Sequence, residues 1–209
     1  MGAGRPAAYS AAVDLADGVA ARLASLCLDD KGRLAHFPLW DVAARGALLV
    51  DLVRAGRLTQ DDDSVLVDGT PTGFEPADRL LAAMQVEPEQ SLDWWMDHGG
   101  VRMRDLAEAD VASGRWLVRR RLFGRRFTTT SPADGAAERA GTPDGAAVRV
   151  LAIASGALLR RPEPVLDPEL ETTGPLRWIC AAVTIHLDEA HRATQRGAGL
   201  LDGVSVPFD

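Results

Sequence analysis

The sequence predicts a mainly α fold: a single compact helical domain with one or two short β-hairpins. Three observations predict it. Apolar residues recur at helical spacing through most of the chain, as around 10–27, 39–55, 75–85 and 175–192. Strand-like patterning is confined to short stretches, chiefly around 57–68 and 115–127. No repeat or low-complexity linker divides the 209 residues, a length that one domain can use. The expected organisation is therefore one domain over 1–209, with 1–8 and 194–209 as flexible tails.

The elements follow in order. Ser10 can cap a first helix to Cys27, with Leu15, Val19, Leu23 and Leu26 on one stripe. Asp29 to Gly32 reads as a turn and Arg33 to Phe37 as a short strand. A second helix runs from Leu39 to Ala55, stopped by Gly56, with Val42, Leu49, Val50, Leu52 and Val53 inward. Arg57 to Asp68 is a hairpin whose turn carries Asp61, Asp62 and Asp63. Thr70 to Gly73 leads to a third helix, Glu75 to Gln85. Ser91 caps a short fourth helix bearing Trp94, Trp95 and Met96, which Gly99 and Gly100 end. Val101 to Ser113 is a fifth helix, and Ser131 to Ala140 a short polar one. Thr142-Pro143-Asp144 combines a cap, a proline at the first helical position and an acid in the first turn. That helix should reach about Arg160. A connector follows over Pro162 to Gly174, then a last helix from Pro175 to Arg192.

A net charge of −7 argues against general nucleic-acid binding, so no nucleic-acid partner is expected. Lys31 is the only lysine among 23 basic side chains, a bias typical of high-GC bacterial coding. Cys27 and Cys180 sit in apolar helical contexts and read as reduced core thiols. The first residues show no apolar secretory core, and Pro6 occupies the position where myristoylation needs Ser or Thr. No run of about 18 apolar residues spans a membrane. The expected location is cytoplasmic, with any membrane contact peripheral and on the inner face.

No catalytic set is legible, and the chain is not expected to be an enzyme. His186 and His191 lie five apart, about 140° around a helix, whereas helical zinc pairs lie four apart on one face. A solvated helix end is the expected reading there. The three aspartates of the first hairpin lack a calcium-loop pattern. There is no nucleophile elbow and no phosphate loop, and Gly197 and Gly199 do not open a βα unit. His36 and His98 lack a nucleophilic partner. No metal and no cofactor are expected. Of the aromatics, Trp94, Trp95 and Trp116 read as core, while Phe37 and Trp40 precede a helix and could edge a ligand site.

The second hairpin carries the strongest signal. Arg115, Arg119, Arg120, Arg121, Arg125 and Arg126 cluster without an acid, around a tip of Leu122, Phe123 and Gly124. Like charges repel, so such a cluster costs folding energy unless an anion meets it. An apolar tip beside it fits the boundary between lipid headgroups and acyl chains, or a partner's pocket. The competing reading is a solvated hairpin whose arginines pair with Asp105, Glu108 or Asp110.

Four stretches in series, over roughly residues 10 to 135, resemble the Golgi phosphoprotein 3 family, including its bacterial members. They are Leu28 to Arg33 (LDDKGR), Arg45 to Leu58 (RGALLVDLVRAGRL), Thr70 to Gly73 with the Leu80-Leu81 helix, and the helix ending near Gly114 with the basic hairpin Leu117 to Phe127 and Thr128 to Pro132. The resemblance implies a mainly helical protein whose hairpin tip enters membrane and which binds phosphatidylinositol 4-phosphate. Eukaryotic members adapt glycosyltransferases to Golgi vesicles; a bacterial member cannot have that role. By position, Arg45 matches the family's basic residue on the second helix. The family tryptophan falls at His36 without a gap or at Phe37 with one, with Trp40 nearby. Two further family arginines fall near Gly100 and Met103, where Arg102 and Arg104 are neighbours.

The expected function is that of a peripheral membrane protein binding anionic phospholipid, phosphoinositide-like by resemblance. Arg45, Phe37, Trp40, Arg102 and Arg104 would meet the headgroup. Arg119, Arg120, Arg121, Leu122, Phe123, Arg125 and Arg126 would contact the membrane. The alternative is a protein interaction or homo-oligomerisation module using the same hairpin. For Arg45 the bland alternative is a helix-surface residue paired with Asp41.

Overall fold

The computed structural model describes residues 14–34, 37–62, 64–121, 124–130 and 141–202. Among the described residues it contains eight α-helices and two separate antiparallel strand pairs. The helices are α1 (Val19–Leu26), α2 (Pro38–Arg54), α3 (Glu75–Val86), α4 (Leu92–His98), α5 (Met103–Ala112), α6 (Pro143–Ala154), α7 (Asp167–Glu171) and α8 (Arg177–Asp202). The strands are β1 (Leu58–Asp61), β2 (Ser64–Val67), β3 (Trp116–Arg121) and β4 (Gly124–Thr129). The mainly α class with short hairpins therefore holds.

α2 is the central helix. Every residue from Ala43 to Leu52 is buried, so it is wrapped on all sides. It packs against α1, α3, α4, α5, α6 and α8. Small residues allow the close approach: a Cβ on Gly46 would lie 2.4 Å from Val183 Cγ1 of α8. Pro38 opens the helix at a position where its missing N–H is not needed.

Asp51 is the one acid inside this helix core. Its Oδ1 accepts the Val19 N–H at 2.8 Å and its Oδ2 the Ala20 N–H at 2.9 Å. It therefore caps α1 from a neighbouring helix. Arg54 donates to Asp51 at 2.7 Å and to Asp144 of α6 at 2.5 Å, so its guanidinium links α2 to α6 and braces the carboxylate that caps α1. This arrangement corrects the expected first helix. Ser10 lies outside the described residues; a 3₁₀ turn over Leu15–Asp17 precedes α1, and the chain breaks at Gly18. A Cβ there would sit 2.5 Å from Asp51 Oδ2, so the capping carboxylate needs a residue without one. Of the expected stripe, Leu15, Val19 and Leu23 are buried, while Leu26 is exposed.

Other boundaries also move. The expected strand from Arg33 is only a bridge, Leu28 opposite Leu34, and Ala35 and His36 lie outside the described residues. α5 starts at Met103 rather than Val101. α6 stops at Ala154, six residues before the expected Arg160, with Gly156 just past its Ser155 cap at a φ of 74°. The connector contains α7. α8 begins two residues late but continues to Asp202, past the end expected at Arg192. Pairs one turn apart support that extension: Gln195 with His191, and the Thr194 hydroxyl donating to Ala190 O at 2.9 Å. The polar helix expected over Ser131 to Ala140 lies outside the described residues.

Candidate functional site

Two places carry the candidate residues: the β3–β4 hairpin, and the surface around the N-terminal end of α2.

In the hairpin the register pairs Trp116 with Thr129, Val118 with Phe127, Arg119 with Arg126 and Arg120 with Arg125. Side chains alternate between faces along a strand. Trp116 and Phe127 fill the inward face and pack together at 5.8 Å between ring centroids. That anchors the hairpin to the core. The other face presents Leu117, Arg119, Arg126 and Thr128, all exposed.

The arginines divide into two groups. Arg115, at the hairpin base, donates to buried Asp110 of α5 through both Nε and Nη2. Arg125 pairs with Glu108 at 2.5 Å. These two follow the solvated-hairpin reading. Asp105, offered there as a partner, instead pairs with Arg79 at 2.7 Å. Arg119, Arg120 and Arg126 are exposed and, among the described residues, have no carboxylate within ion-pair distance. Arg121 ends β3 opposite Gly124. Leu122 and Phe123, the expected tip, lie outside the described residues.

Around α2 the five headgroup candidates fall into sets: Arg102 lies near Arg45, Phe37 packs beside Trp40, and Arg104 pairs with Glu108. Arg45 is only 8% exposed. Its Nε donates to Met96 O and its Nη1 to Val101 O at 2.9 Å. It thus satisfies carbonyls where α4 ends, which corrects the reading of Arg45 as a helix-surface residue. Asp41 turns away to accept the Met103 N–H at 2.9 Å, capping α5. Burial pulls the Arg45 pKa below its ordinary value, and Asp41 and Asp97 oppose that shift while Arg102 adds to it. Arg102 is therefore close by; it is exposed and, among the described residues, without a carboxylate partner. Arg104 pairs with Glu108 at 2.9 Å, sharing that carboxylate with Arg125.

Trp40 points elsewhere. It is buried, with Phe37 half-buried beside it at 5.8 Å. Arg160 lies over its ring, 5.9 Å from the centroid, and the indole Nε1 has no hydrogen-bond partner among the described residues. Five residues separate Trp40 from Arg45, about 140° around the helix, and their contacts fall on different elements. Arg160 was missed by sequence reading. Only its place in a fold that returns α6 toward α2 puts it there.

His186 also departs from expectation. It is buried rather than at a solvated end, with Nε2 2.9 Å from Asp97 and Nδ1 3.4 Å from Asp93. It joins α4 to α8. The two carboxylates lie on exposed positions of α4 one turn apart, a signal legible only once α8 is known to face them. Among the described residues no group of three potential ligands could hold a metal ion.

The fold and the hairpin together define a small helical protein that projects a basic β-hairpin from an acidic body. The family model for Golgi phosphoprotein 3 (GPP34) matches residues 19–198, most of the chain, and the protein belongs to that family. No curated protein matches it.

Proposed function

We propose that this protein is a non-catalytic peripheral membrane protein that binds anionic phospholipid through the β3–β4 hairpin, at the inner face of the cytoplasmic membrane. The observation that carries the reading is the set Arg119, Arg120 and Arg126: three exposed guanidiniums, with no carboxylate partner among the described residues, on a hairpin fixed to the core by Trp116 and Phe127. Arg119 faces Arg126 across the ladder, an unfavourable pairing that a bound phosphate relieves. Each arginine near an anionic leaflet contributes about 1 kcal/mol, and its planar fork matches phosphate geometry. Membership of the family supports the same reading. The tip, Leu122 and Phe123, would enter the acyl boundary; no helix among the described residues is long and apolar enough to cross a membrane.

A phosphoinositide-like headgroup is the finer part of this proposal. Arg45 has Nε and Nη1 committed to carbonyls, so Arg102 is the arginine of this group that offers its guanidinium outward. The test is co-sedimentation with vesicles of phosphatidylcholine alone, with added phosphatidylserine, and with added phosphatidylinositol 4-phosphate. Binding to both anionic mixtures is expected, reduced at least tenfold by Arg119→Glu with Arg126→Glu. Equal pelleting of that variant would overturn the reading. A change in oligomer mass without any lipid response would favour a protein interface at the same hairpin.

A further inference from the structure

After α6 ends at Ala154 the chain makes a closed turn before the connector. Leu158 N–H donates to Ala152 O at 3.1 Å, and Glu163 N–H donates to Ile153 O at 3.2 Å. The turn presents two adjacent leucines to solvent: Leu158 is 49% exposed and Leu159 52%. Arg160, next in the chain, takes a φ of +58°, in the left-handed region that a non-glycine residue adopts only where surroundings hold it. What holds it is visible. Its Nη2 donates to Leu28 O at 3.0 Å, and its guanidinium lies over Trp40.

This turn and the basic hairpin flank one loop. The Phe127 N–H of β4 donates to Gly32 O at 2.7 Å, while Arg160 grips Leu28 O. Those two carbonyl residues are four apart in sequence and so at most about 14 Å apart in space. Between them lies Lys31, exposed and, among the described residues, without a carboxylate partner. Asp29 beside it is taken by Arg33 at 2.7 Å, and Asp30 is the exposed counter-charge of the loop.

Resting on the lipid-binding reading above, we propose that Leu158 and Leu159 form a second membrane contact, docking together with the hairpin onto the same anionic bilayer surface. The occupant follows from the chemistry. Two adjacent exposed leucines offer apolar area, while Arg160 is held by Leu28 O and the Trp40 ring and Arg161 by Glu163, so the charge for the phosphate level comes from Lys31 and the hairpin arginines. Lys31, Arg119 and Arg126 are exposed, and the loop that bears Lys31 is bonded both to β4 and to Arg160. The leucines supply apolar area and the hairpin supplies charge, so neither element has to carry binding alone.

The test compares two full-length variants on vesicles containing about 30 mol % phosphatidylserine, a strongly anionic surface. Leu158→Asn with Leu159→Asn should weaken binding by about tenfold, since two half-exposed leucines lose their transfer to acyl chains, and should leave the melting temperature unchanged. The hairpin variant Arg119→Glu with Arg126→Glu serves as the parallel. If the hairpin variant loses binding while the leucine variant keeps it, this inference is overturned and the hairpin reading stands. If the wild type does not pellet, both fall. A second readout uses Leu159→Cys carrying an environment-sensitive fluorophore, with Cys27 and Cys180 buried and out of reach. A blue shift on vesicles is expected; unchanged emission, or a change in oligomer mass without lipid, overturns the proposal.

Discussion

Arg119 and Arg126 stand directly opposite each other on the outward face of the β3–β4 ladder, and neither has a carboxylate partner among the described residues. Opposed like charges weaken a strand pair, whereas opposed unlike charges strengthen it. Arg126→Glu alone should therefore leave the melting temperature equal to or above that of the wild type, while reducing vesicle binding. The combination separates function from folding. A drop in melting temperature by several degrees would show that the arginines hold the hairpin rather than await an anion.

Asp51 should matter more than any surface charge. It sits fully buried on α2, accepts the Val19 and Ala20 N–H groups, and receives Arg54. Asp51→Ala leaves two buried donors at the start of α1 and a guanidinium with only Asp144. The expected loss is about 3 kcal/mol, readable as a lower urea midpoint. Asp144→Ala, whose carboxylate is partly exposed, should cost clearly less.

What was legible in the sequence follows from what is local. The central helix α2, the Ser91 and Thr142 caps and both hairpins were readable because the determining residues are neighbours: Ser91 Oγ accepts the Trp94 N–H at 3.1 Å, and Thr142 Oγ1 the Gly145 N–H at 3.1 Å. The cluster of arginines was equally readable, but its division was not. Arg115 and Arg125 are paired through Asp110 and Glu108 of α5, while Arg119 and Arg126 face outward, and that depends on strand register. The start of α1 was misplaced because its cap, Asp51, lies 32 residues downstream of Val19. Arg45 read as exposed because nothing local announces that carbonyls of Met96 and Val101 will receive it.

The two thiols should be inert in the native protein. Burial pushes both Cys27 and Cys180 up to about 12, so at pH 8 the reactive thiolate is scarce. Both side chains are also out of contact with solvent. A disulfide-exchange reagent should release no colour from folded protein within minutes and should titrate both free cysteines once guanidinium is added. Rapid reaction of either in the native state would mean that α1 or α8 opens locally on that timescale.

Asp110 sets a pH dependence whose sign can be worked out. It lies buried on α5, Arg115 donates to its Oδ1, and its Oδ2 has no hydrogen-bond partner among the described residues. Burial raises its pKa above the ordinary carboxylate value, and the Arg115 hydrogen bond and charge only partly offset that. The folded state therefore holds this proton more tightly than the unfolded state does. The group's stabilising contribution is complete below the unfolded carboxylate value, near 4, and is lost as pH rises through the folded value. Asp110→Asn removes the titration while keeping an oxygen for Arg115. Urea midpoints of wild type and variant, measured across the acid range to neutrality, should diverge as pH rises, with the wild type losing ground. Parallel curves would mean that Arg115 already keeps the carboxylate charged, and that the base of the hairpin is held by an ion pair at every pH tested.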